Sequence, residues 1–593
     1  MKKTKKEKRK VVTKKICRAV KRDDGLEMKF MTEYTFRNFH EVIASRYPRR
    51  TMYSVFREDG SEITFLQFSH QVKAISSYLI SLGFEKGDKV AIIGDSSPYW
   101  MLFYVALTNI GMIAVPILPE FSEREVAIIL SDSEAKGVAS LSKQYPKVFE
   151  SIKETGLSLF RLDDLVHIPS SVGIPEPVDF LSTPGIPMRD WKISQKDLDS
   201  FKPEEDDIAS IIYTSGTTGK SKGVVLSHKN LLRCADLNTD VYIKLKPGNK
   251  VLSILPMSHV YEFTIGQLLV LLQGLEVVFL GKPPAVSILL PALSEVRPHV
   301  MLTVPLLIEK VYKAAIAPKL KGEGKIAKLA KNPFVSSFVY RTIGKKLKST
   351  FGGRIKFFGI GGAPLDAEVE KFLYKASFPY SIGYGLTETS PLIAGCNTKK
   401  SGHSPSFIGP VVSDDDVILL DKNQEGVGEI AVKGPNVTKG YYKNEELNKE
   451  SFTPDGYFKT GDLGYFDKKG RLSIRGRVKT MILGPSGENI YPESIESLIN
   501  NQEYVAESLV VPEDGGLIAL IRIDIELTSK NLKISVDEAK KEAVKYVASM
   551  KKSLNSQLSS YSRLSETELQ EEPFDRTPTQ KIKRFLYPKK KKE

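Results

Sequence analysis

Short runs of apolar, mostly β-branched residues alternate along the chain with segments whose apolar residues recur every three or four positions. The segments of helical period, such as 366–376, predict helices, and the apolar runs predict buried strands. This alternation predicts parallel sheets covered by helices on both faces, in which ligands bind beyond the carboxyl ends of the strands. The clearest predicted strands are 89–94, 208–214, 251–256, 276–281, 299–305 and 355–362.

The pattern changes near residue 405, where short apolar runs are separated by Gly and Asp turns. This part predicts a small β-barrel-like region. After residue 480 the chain predicts a smaller α+β unit, with a hairpin that turns at Asp514-Gly515-Gly516 and an amphipathic helix near 535–558. We therefore expect an α/β protein with a large N-terminal domain at 31–476 and a small C-terminal domain at 481–588.

Lysines and apolar residues are interleaved over residues 318–350. This composition suits a pair of amphipathic helices at the surface, and it also suits a solvent-exposed face without a further role. Of these two interpretations we favour the second.

The hydrophobic pattern predicts neither a membrane span nor a secretory signal. The most apolar stretch, 263–281, is interrupted by Gln267, Gln273 and Glu276, so it predicts a buried helix that runs into a strand. The three cysteines are far apart and form neither a disulfide framework nor a zinc motif. We expect a cytoplasmic protein.

The formal net charge of +15 is concentrated at the two ends of the chain. Residues 1–22 contain twelve Lys/Arg and one acidic residue, residues 581–593 contain seven and one, and the rest contains 67 basic and 69 acidic residues. We expect basic disordered tails at 1–30 and 589–593 and no specific nucleic-acid partner. Two interpretations of the tails stay open: attraction to an anionic surface, such as the inner face of a membrane, or simple solvation.

The segment 213–223, YTSGTTGKSKG, follows a predicted buried strand. Its three glycines allow tight turns with inward-facing main-chain amides, which is what a polyphosphate needs. It is not a Walker A loop, because Thr214 stands where the first glycine of that motif is required. A flexible linker is the alternative. Further donors and positive charge come from Thr214, Ser215, Thr217, Thr218, Lys220 and Lys222.

Four further short motifs carry polar groups that suit a nucleotide. Residues 383–389, GYGLTET, combine an aromatic ring between glycines with oxygens that suit phosphate and a hard cation such as Mg²⁺. Asp462 stands between two turn glycines and can accept both hydroxyl groups of a ribose. The other two motifs are GRVK at 476–479, at the predicted domain boundary, and TPTQKIKR at 577–584.

In this order, the five motifs resemble those of the adenylate-forming superfamily, which includes acyl-CoA synthetases, luciferase-like enzymes and peptide-synthetase adenylation domains. The resemblance covers roughly residues 35–590. The runs PMSHVYEF at 256–263 and GENIYPE at 487–493 are most similar to those of long- or medium-chain fatty acyl-CoA synthetases. The resemblance implies an AMP-binding N-terminal domain, a hinge at 477–480 and a mobile C-terminal domain.

The resemblance also implies a role for each matching residue. His259 would lie in the wall of the acyl pocket near the reacting carboxylate, although a plain pocket histidine is equally open. Lys479 would be the hinge, and Lys581 would enter the site for the adenylation step. Thr214 and Glu388 would place Mg²⁺. The residues of the ATP site would be Thr214, Ser215, Gly216, Thr217, Thr218, Gly219, Lys220, Lys222, Gly362, Ala363, Pro364, Tyr384, Gly385, Thr387, Asp462 and Arg477.

The implied activity is that of an ATP-dependent, AMP-forming ligase that activates a fatty acid as acyl-AMP and transfers the acyl group to coenzyme A. A carboxylate is a poor electrophile and repels the α-phosphate, so positive charge must be supplied before attack. Two alternatives stay open: a ligase that loads an acyl carrier protein, whose acidic surface would suit the basic tails, and a nucleotide-binding, membrane-attached protein without activity. The presence of Glu388, Asp462 and Lys581 disfavours the inactive protein.

Overall fold

Two mixed β-sheets form the centre of the large N-terminal part of the chain. The computed structural model describes residues 31–215, 221–242, 245–395, 404–411, 415–483, 489–513, 516–577 and 581–587. The predicted basic tails at 1–30 and 589–593 lie outside these ranges.

The first sheet has eight strands. The six central strands are parallel, as the alternating sequence pattern predicts, and the strand at each edge is antiparallel to its neighbour. Its strands are, in spatial order, Ala394–Gly395, Tyr380–Tyr384, Phe357–Ile360, Val300–Thr303, Lys250–Ser253, Glu276–Phe279, Thr51–Val55 and Ile63–Thr64.

The second sheet has nine strands. Its five middle strands are parallel, and hairpins extend both edges in the antiparallel direction. In spatial order they are Gly440–Tyr441, Ser221–Ser227, Ile208–Ser215, Ile113–Ile117, Lys89–Ile93, Gly137–Ser140, Ser158–Arg161, Val166–Ile168 and Ile186–Pro187.

The predicted β region and the C-terminal unit are both present. The β region is a four-stranded antiparallel sheet. The C-terminal unit contains the predicted hairpin together with a third strand, which is parallel to the second strand of the hairpin. The tip of that hairpin, 514–515, lies outside the described residues. The strands are Asp416–Leu420, Gly428–Lys433, Phe458–Phe466 and Leu472–Arg477; then the pair Ile482–Leu483 and Asn489–Ile490; then Val505–Glu513, Gly516–Ile523 and Glu566–Leu569.

The helices cover the sheets and start where the sequence supplies caps. Ser122 and Ser535 each form a capping box with the Glu three residues later, which satisfies main-chain donors of the first turn. The α-helices are Phe36–Arg46, Phe65–Ser81, Pro98–Asn109, Glu123–Ser133, Tyr145–Ile152, Gln195–Ser200, His228–Tyr242, Val270–Leu272, Val286–Val296, Pro305–Val311, Ala317–Lys321, Lys325–Lys331, Ser336–Thr350, Ala367–Lys375, Glu445–Ser451, Pro492–Asn500, Ile525–Leu532 and Val536–Asn555. Two π-helices, Glu262–Leu269 and Tyr312–Ile316, and four 3₁₀ turns, Ser170–Val172, Thr387–Thr389, Ser560–Ser562 and Arg584–Leu586, complete the list.

The largest apolar core joins the two sheets. The helix Pro98–Asn109 is apolar on all sides, and every residue in it except Tyr99 is buried. Trp100 and Tyr104 of this helix pack against Phe263, so the predicted buried helix near 263 lies beside it. Because this core is shared by both sheets, the ends of their strands are held in fixed relative positions.

Residues 318–350 form helices, including the neighbouring pair Lys325–Lys331 and Ser336–Thr350. The structure therefore agrees with the amphipathic helix pair, which was the less favoured interpretation of this segment. The domain limits at 31–476, 477–480 and 481–588 stay predictions.

Candidate active site

Three segments that carry predicted site residues follow the carboxyl ends of parallel strands in the first sheet. Strand Lys250–Ser253 leads to 256–263, strand Phe357–Ile360 leads to 361–364, and strand Tyr380–Tyr384 leads to 385–389. This is the edge at which open α/β sheets bind ligands, as the strand pattern predicts.

The two ends of the glycine- and hydroxyl-rich segment lie on paired strands of the second sheet. Strand Ile208–Ser215 pairs with the return strand Ser221–Ser227, and Thr214 lies opposite Lys222. Thr214 Oγ1 is buried and has no hydrogen-bond partner among the described residues. The predicted phosphate-binding residues Gly216, Thr217, Thr218, Gly219 and Lys220 lie outside those residues, and for Ser215 only the main-chain strand position is described.

Lys222 and Glu388 are directly paired. Lys222 Nζ lies 2.9 Å from Glu388 Oε1, and the Glu388 residue is only 7% exposed. Tyr441 completes the cluster, because its hydroxyl group donates to Glu388 Oε1 over 2.8 Å and accepts from Lys222 Nζ over 2.7 Å. Burial raises the pKa of Glu388, but the charge and hydrogen bond of Lys222 outweigh it, so that pKa is below its usual value.

Tyr441 is a site residue that the sequence motifs do not identify. It lies on the edge strand Gly440–Tyr441, opposite Val224 of the return strand. Lys222 Nζ is also 4.2 Å from the centre of its ring. Lys222, predicted to bind phosphate, thus pairs with a buried carboxylate in this structure. Its ammonium group supplies the counter-charge that a buried carboxylate requires.

A second polar cluster joins Tyr384, Asp462 and Arg477. The Tyr384 hydroxyl group donates to Asp462 Oδ2 over 2.9 Å, and Arg477 Nε lies 2.9 Å from Asp462 Oδ1. Burial raises the pKa of Asp462, partly offset by the charge of Arg477 and the Tyr384 hydrogen bond. Both carboxylate oxygens therefore have a donor within the cluster.

The position of Asp462 differs from the predicted glycine turn. Asp462 lies within the long strand Phe458–Phe466, directly opposite Arg477 on strand Leu472–Arg477. The pairing register shifts between Leu463 and Gly464. Strand pairing and a β-bulge therefore hold Asp462 in place. The spacing of the flanking glycines is the same in a bulge and in a turn, so the sequence alone does not distinguish the two.

Five residues of the predicted ATP site, Gly362, Ala363, Pro364, Gly385 and Thr387, lie in two short segments at the same sheet edge. Gly362, Ala363 and Pro364 are exposed, and the chain enters this segment through a hydrogen bond from the Gly361 amide to the Thr303 carbonyl oxygen. Gly385 begins the second segment. A Cβ atom there would lie 1.6 Å from the Pro391 carbonyl oxygen, so only glycine fits. Thr387 opens a 3₁₀ turn and places Glu388 in its buried position.

His259 and Lys581 are electrostatically close. Burial, and then the positive charge of Lys581, lower the pKa of His259 to about 4, so the imidazole is neutral at pH 7. Its Nδ1 atom accepts from the Tyr261 amide over 3.3 Å. His259 itself is half-buried at the end of the turn that follows strand Lys250–Ser253.

Lys581 lies in the field of both polar clusters. Burial and the charge of Arg477 lower its pKa, while the carboxylates of Asp462 and Glu388 raise it in part. The residue nevertheless keeps a solvent-exposed surface. Exposure together with a burial-driven shift is what a side chain in an open, water-accessible cleft shows.

Lys479 lies in a turn directly after strand Leu472–Arg477. The amides of Thr480 and Met481 donate to the Arg477 carbonyl oxygen over 3.2 and 2.9 Å. The turn separates the last strand of the four-stranded sheet from Ile482–Leu483, the first element of the C-terminal unit. This position is compatible with the predicted hinge.

The donor set at Thr214 and Glu388 fits Mg²⁺ and argues against a preformed metal cage. Among the described residues, no group of three or more His, Cys, Asp or Glu side chains could hold a metal ion. Mg²⁺ is commonly held by one or two carboxylates together with substrate phosphates. The buried carboxylate of Glu388, paired with Lys222, and the unpartnered hydroxyl group of Thr214, which lies opposite Lys222 in the sheet, match that requirement.

In the part of the chain that the structure describes, none of the helices has the length and apolar character that crossing a membrane requires.

Solved structures with the same fold include adenylate-forming proteins. The chain superposes on ATP-bound MatB from Rhodopseudomonas palustris with a TM-score of 0.69 and 23% identity, over 93% of this chain and 98% of that one. It superposes on o-succinylbenzoate-CoA synthetase from Bacillus subtilis, in complex with the acyl-adenylate OSB-AMP, with a TM-score of 0.69 and 22% identity, over 95% and 99%. These likenesses establish the fold: an α/β N-terminal part followed by a smaller C-terminal unit.

Among curated proteins, the chain is similar to ligases of long-chain fatty acids. It is 29% identical to the long-chain-fatty-acid–CoA ligase FadD15 of Mycobacterium tuberculosis, over 89% of this chain and 91% of that protein. It is 28% identical to the peroxisomal long chain acyl-CoA synthetase 7 of Arabidopsis thaliana, over 86% and 75%. The family described as AMP-binding enzyme matches residues 40–442, which is more than half of the chain. The chain therefore belongs to the AMP-binding enzyme family.

Proposed function

We propose that this protein is an ATP-dependent, AMP-forming ligase that activates a fatty acid as an acyl-adenylate and transfers the acyl group to coenzyme A. The observation that carries the proposal is that the side chain of Lys581, from the C-terminal unit, lies within the electrostatic range of Asp462, Arg477 and Glu388. These residues are far apart in sequence, and the fold brings two carboxylates, the hydroxyl groups of Tyr384 and Tyr441, and a lysine into one region. The names of the relatives supply the substrate class.

In the first half-reaction, a carboxylate oxygen of the fatty acid attacks the α-phosphorus of ATP, and the bond to the β-phosphate oxygen breaks to release pyrophosphate. Lys581 is proposed to neutralise charge that develops on the α-phosphate. Asp462 is proposed to bind the ribose hydroxyl groups and Tyr384 to face the adenine. The neutral imidazole of His259 is proposed to line the pocket beside the carboxylate without adding charge.

Thr214 and Glu388 are the residues proposed to hold Mg²⁺. Lys222 and Tyr441 both contact Oε1 of Glu388, so the carboxylate would have Oε2 left to offer to the metal. When bound, the metal would neutralise charge on the phosphates of ATP. Lys222 and Tyr441 are then positioning residues, since they fix the carboxylate and keep it ionised.

In the second half-reaction, the thiol sulfur of coenzyme A attacks the acyl carbonyl carbon, AMP leaves with the bonding electron pair, and the thiol proton passes to water. Lys581 and the thiol need the same space at different times. A C-terminal unit that turns about Lys479 would remove Lys581 and admit the thiol. This hinge role and the limits of the two domains are part of the proposal.

ATP–pyrophosphate exchange tests the proposal most directly. Purified protein is incubated with Mg²⁺, ATP, labelled pyrophosphate and carboxylic acids from acetate to oleate. We expect exchange that depends on a fatty acid. Free coenzyme A and an acyl carrier protein are then compared as acceptors, and we expect the thioester to form with coenzyme A. Absence of exchange with every acid would refute the proposal.

The basic N-terminal tail is proposed to strengthen attraction to anionic membranes. It contains eleven net positive charges within residues 1–22, and each basic residue near an anionic surface contributes about 1 kcal/mol. Deletion of 1–22 should weaken vesicle binding at low salt without changing turnover in detergent. Equal vesicle binding by both forms would count against this role.

A further inference from the structure

The helix pair Lys325–Lys331 and Ser336–Thr350 is firmly seated on the N-terminal part of the chain. Its inner side buries Ala327, Gly344 and Leu347. A Cβ atom at Gly344 would lie 2.3 Å from the Ala376 carbonyl oxygen, so the second helix runs against the end of helix Ala367–Lys375 with no room for a side chain. The outer side of the pair is therefore presented in a fixed orientation.

The outer side exposes four large apolar side chains within thirteen positions. Phe334 is 96% exposed, Phe338 75%, Leu329 48% and Ile326 43%. We call these four residues the apolar ridge. Single exposed apolar residues are ordinary, but a group of them on one rigid element indicates a surface that something covers.

Positive charge is concentrated in the segment that carries the apolar ridge. Residues 318–350 contain nine Lys/Arg and one acidic residue, whereas the chain between the two basic ends, without this segment, contains 58 basic and 68 acidic residues. Five exposed lysines of the helix pair form no ion pair with another described residue. They are Lys325, Lys328, Lys331, Lys345 and Lys346.

We propose that this helix pair is a docking surface for an anionic lipid bilayer. Lysines around exposed Phe, Leu and Ile side chains form the arrangement that places a helix in the interface plane, with the apolar groups among the acyl chains and the ammonium groups at lipid phosphates. Phe334 lies at the turn between the helices and is the most exposed of the four residues, so we assign it the first contact with the acyl chains. The proposal concerns binding and does not depend on the ligase activity.

Vesicle binding of the full chain tests the surface. The protein is mixed with phosphatidylcholine vesicles containing phosphatidylglycerol, and with phosphatidylcholine vesicles alone, and the bound fraction is measured by flotation. We expect binding to the anionic vesicles, and a loss of about tenfold or more in partitioning for F334S/F338S, because two inserted aromatic side chains are removed. The matched control V178S/L181S replaces two exposed apolar residues, 89% and 60% exposed, beside Glu176 and Asp179, and it should bind like the unchanged protein.

Insertion has its own readout. Bromine-labelled acyl chains should quench the fluorescence of F334W in anionic vesicles, relative to the background of the native Trp100 and Trp191. The proposal is overturned if the unchanged protein does not bind anionic vesicles, as expected for a surface that instead docks an acidic protein. It is also overturned if F334S/F338S binds as well as the unchanged protein, if the control loses binding equally, or if F334W is not quenched.

Discussion

Lys313 Nζ donates hydrogen bonds to the carbonyl oxygens of Asn500 and Val505, over 2.9 and 3.3 Å. Asn500 is the last residue of helix Pro492–Asn500, so the ammonium group lies at the end of the helix that carries partial negative charge. Lys313 belongs to the N-terminal part and Asn500 to the C-terminal unit. The contact therefore holds the arrangement in which Lys581 lies near Asp462 and Glu388.

We predict that K313M slows acyl-adenylate formation by about tenfold, because charge-assisted hydrogen bonds between the two parts are lost. Thioester formation from synthetic acyl-AMP should stay unchanged or become faster, since it uses the other arrangement. Pyrophosphate exchange and thioester assays measure the two steps separately. K321M is the matched control, because Lys321 pairs with Glu368 within the N-terminal part, and both of its rates should be normal. Equal losses in both steps for K313M would contradict the interpretation.

Replacement of Lys581 should separate the two half-reactions more sharply. We predict that K581A lowers acyl-adenylate formation from ATP by about 100-fold or more, because the charge that faces the α-phosphate is removed. Thioester formation from synthetic acyl-AMP should be spared. K583A, two residues along the same segment, provides the control and should retain exchange activity. If K581A damaged both steps alike, Lys581 would have a structural role only.

The hinge role proposed for Lys479 predicts the reverse result, in which thioester formation is slowed more than adenylation. K479P stiffens the turn after strand Leu472–Arg477, so it should lower thioester formation by about tenfold and leave adenylation largely intact. K468P is the control: Lys468 is the second residue of the turn Asp467–Gly470, closed by the Gly470 amide and the Asp467 carbonyl oxygen, where proline is tolerated. Normal thioester formation by K479P, measured with coenzyme A and synthetic acyl-AMP, would remove Lys479 as the hinge.

Much of the fold is predictable from the sequence because buried strands and amphipathic helices have distinct periods. The apolar runs at 89–94 and 208–214 are central strands, and the motifs at 361–364 and 385–389 follow the carboxyl ends of parallel strands. Antiparallel edges such as Gly440–Tyr441 are too short to carry a period, so the pattern does not reveal the mixed character of the sheets.

The contacts within the site are less predictable than its motifs. Tyr441 reaches Glu388 only because an edge strand pairs with the strand that carries Lys222. Lys313 meets Asn500 across 187 positions of sequence. Such pairings depend on how separate elements pack. The glycine and hydroxyl motifs indicate only where the backbone can turn and where hydrogen-bond donors are available.

Glu262 is a buried acid within the run 256–263, and the sequence predicts no role for it. It is 1% exposed, and its Oε1 atom accepts hydrogen bonds from Ser253 Oγ over 2.7 Å and from Gln267 Nε2 over 3.1 Å. Burial raises its pKa to about 7, and the two hydrogen bonds offset only part of this effect. The carboxyl group therefore binds a proton in the folded chain at a pH where the unfolded chain has released it.

The sign of the pH dependence follows from this difference. Between about pH 4.5 and 7 the folded state holds one more proton at this site than the unfolded state, so the free energy of unfolding falls as pH rises, by about 3 kcal/mol in total.

E262Q keeps an oxygen that can accept both hydrogen bonds and cannot ionise. We predict that E262Q and the unchanged protein have similar unfolding midpoints near pH 4.5, and that E262Q is more stable by a few degrees at pH 8. E123Q, at an exposed helix start, controls for loss of a surface carboxylate. A difference between E262Q and the unchanged protein that does not grow with pH would show that Glu262 is ionised in the folded state throughout this range.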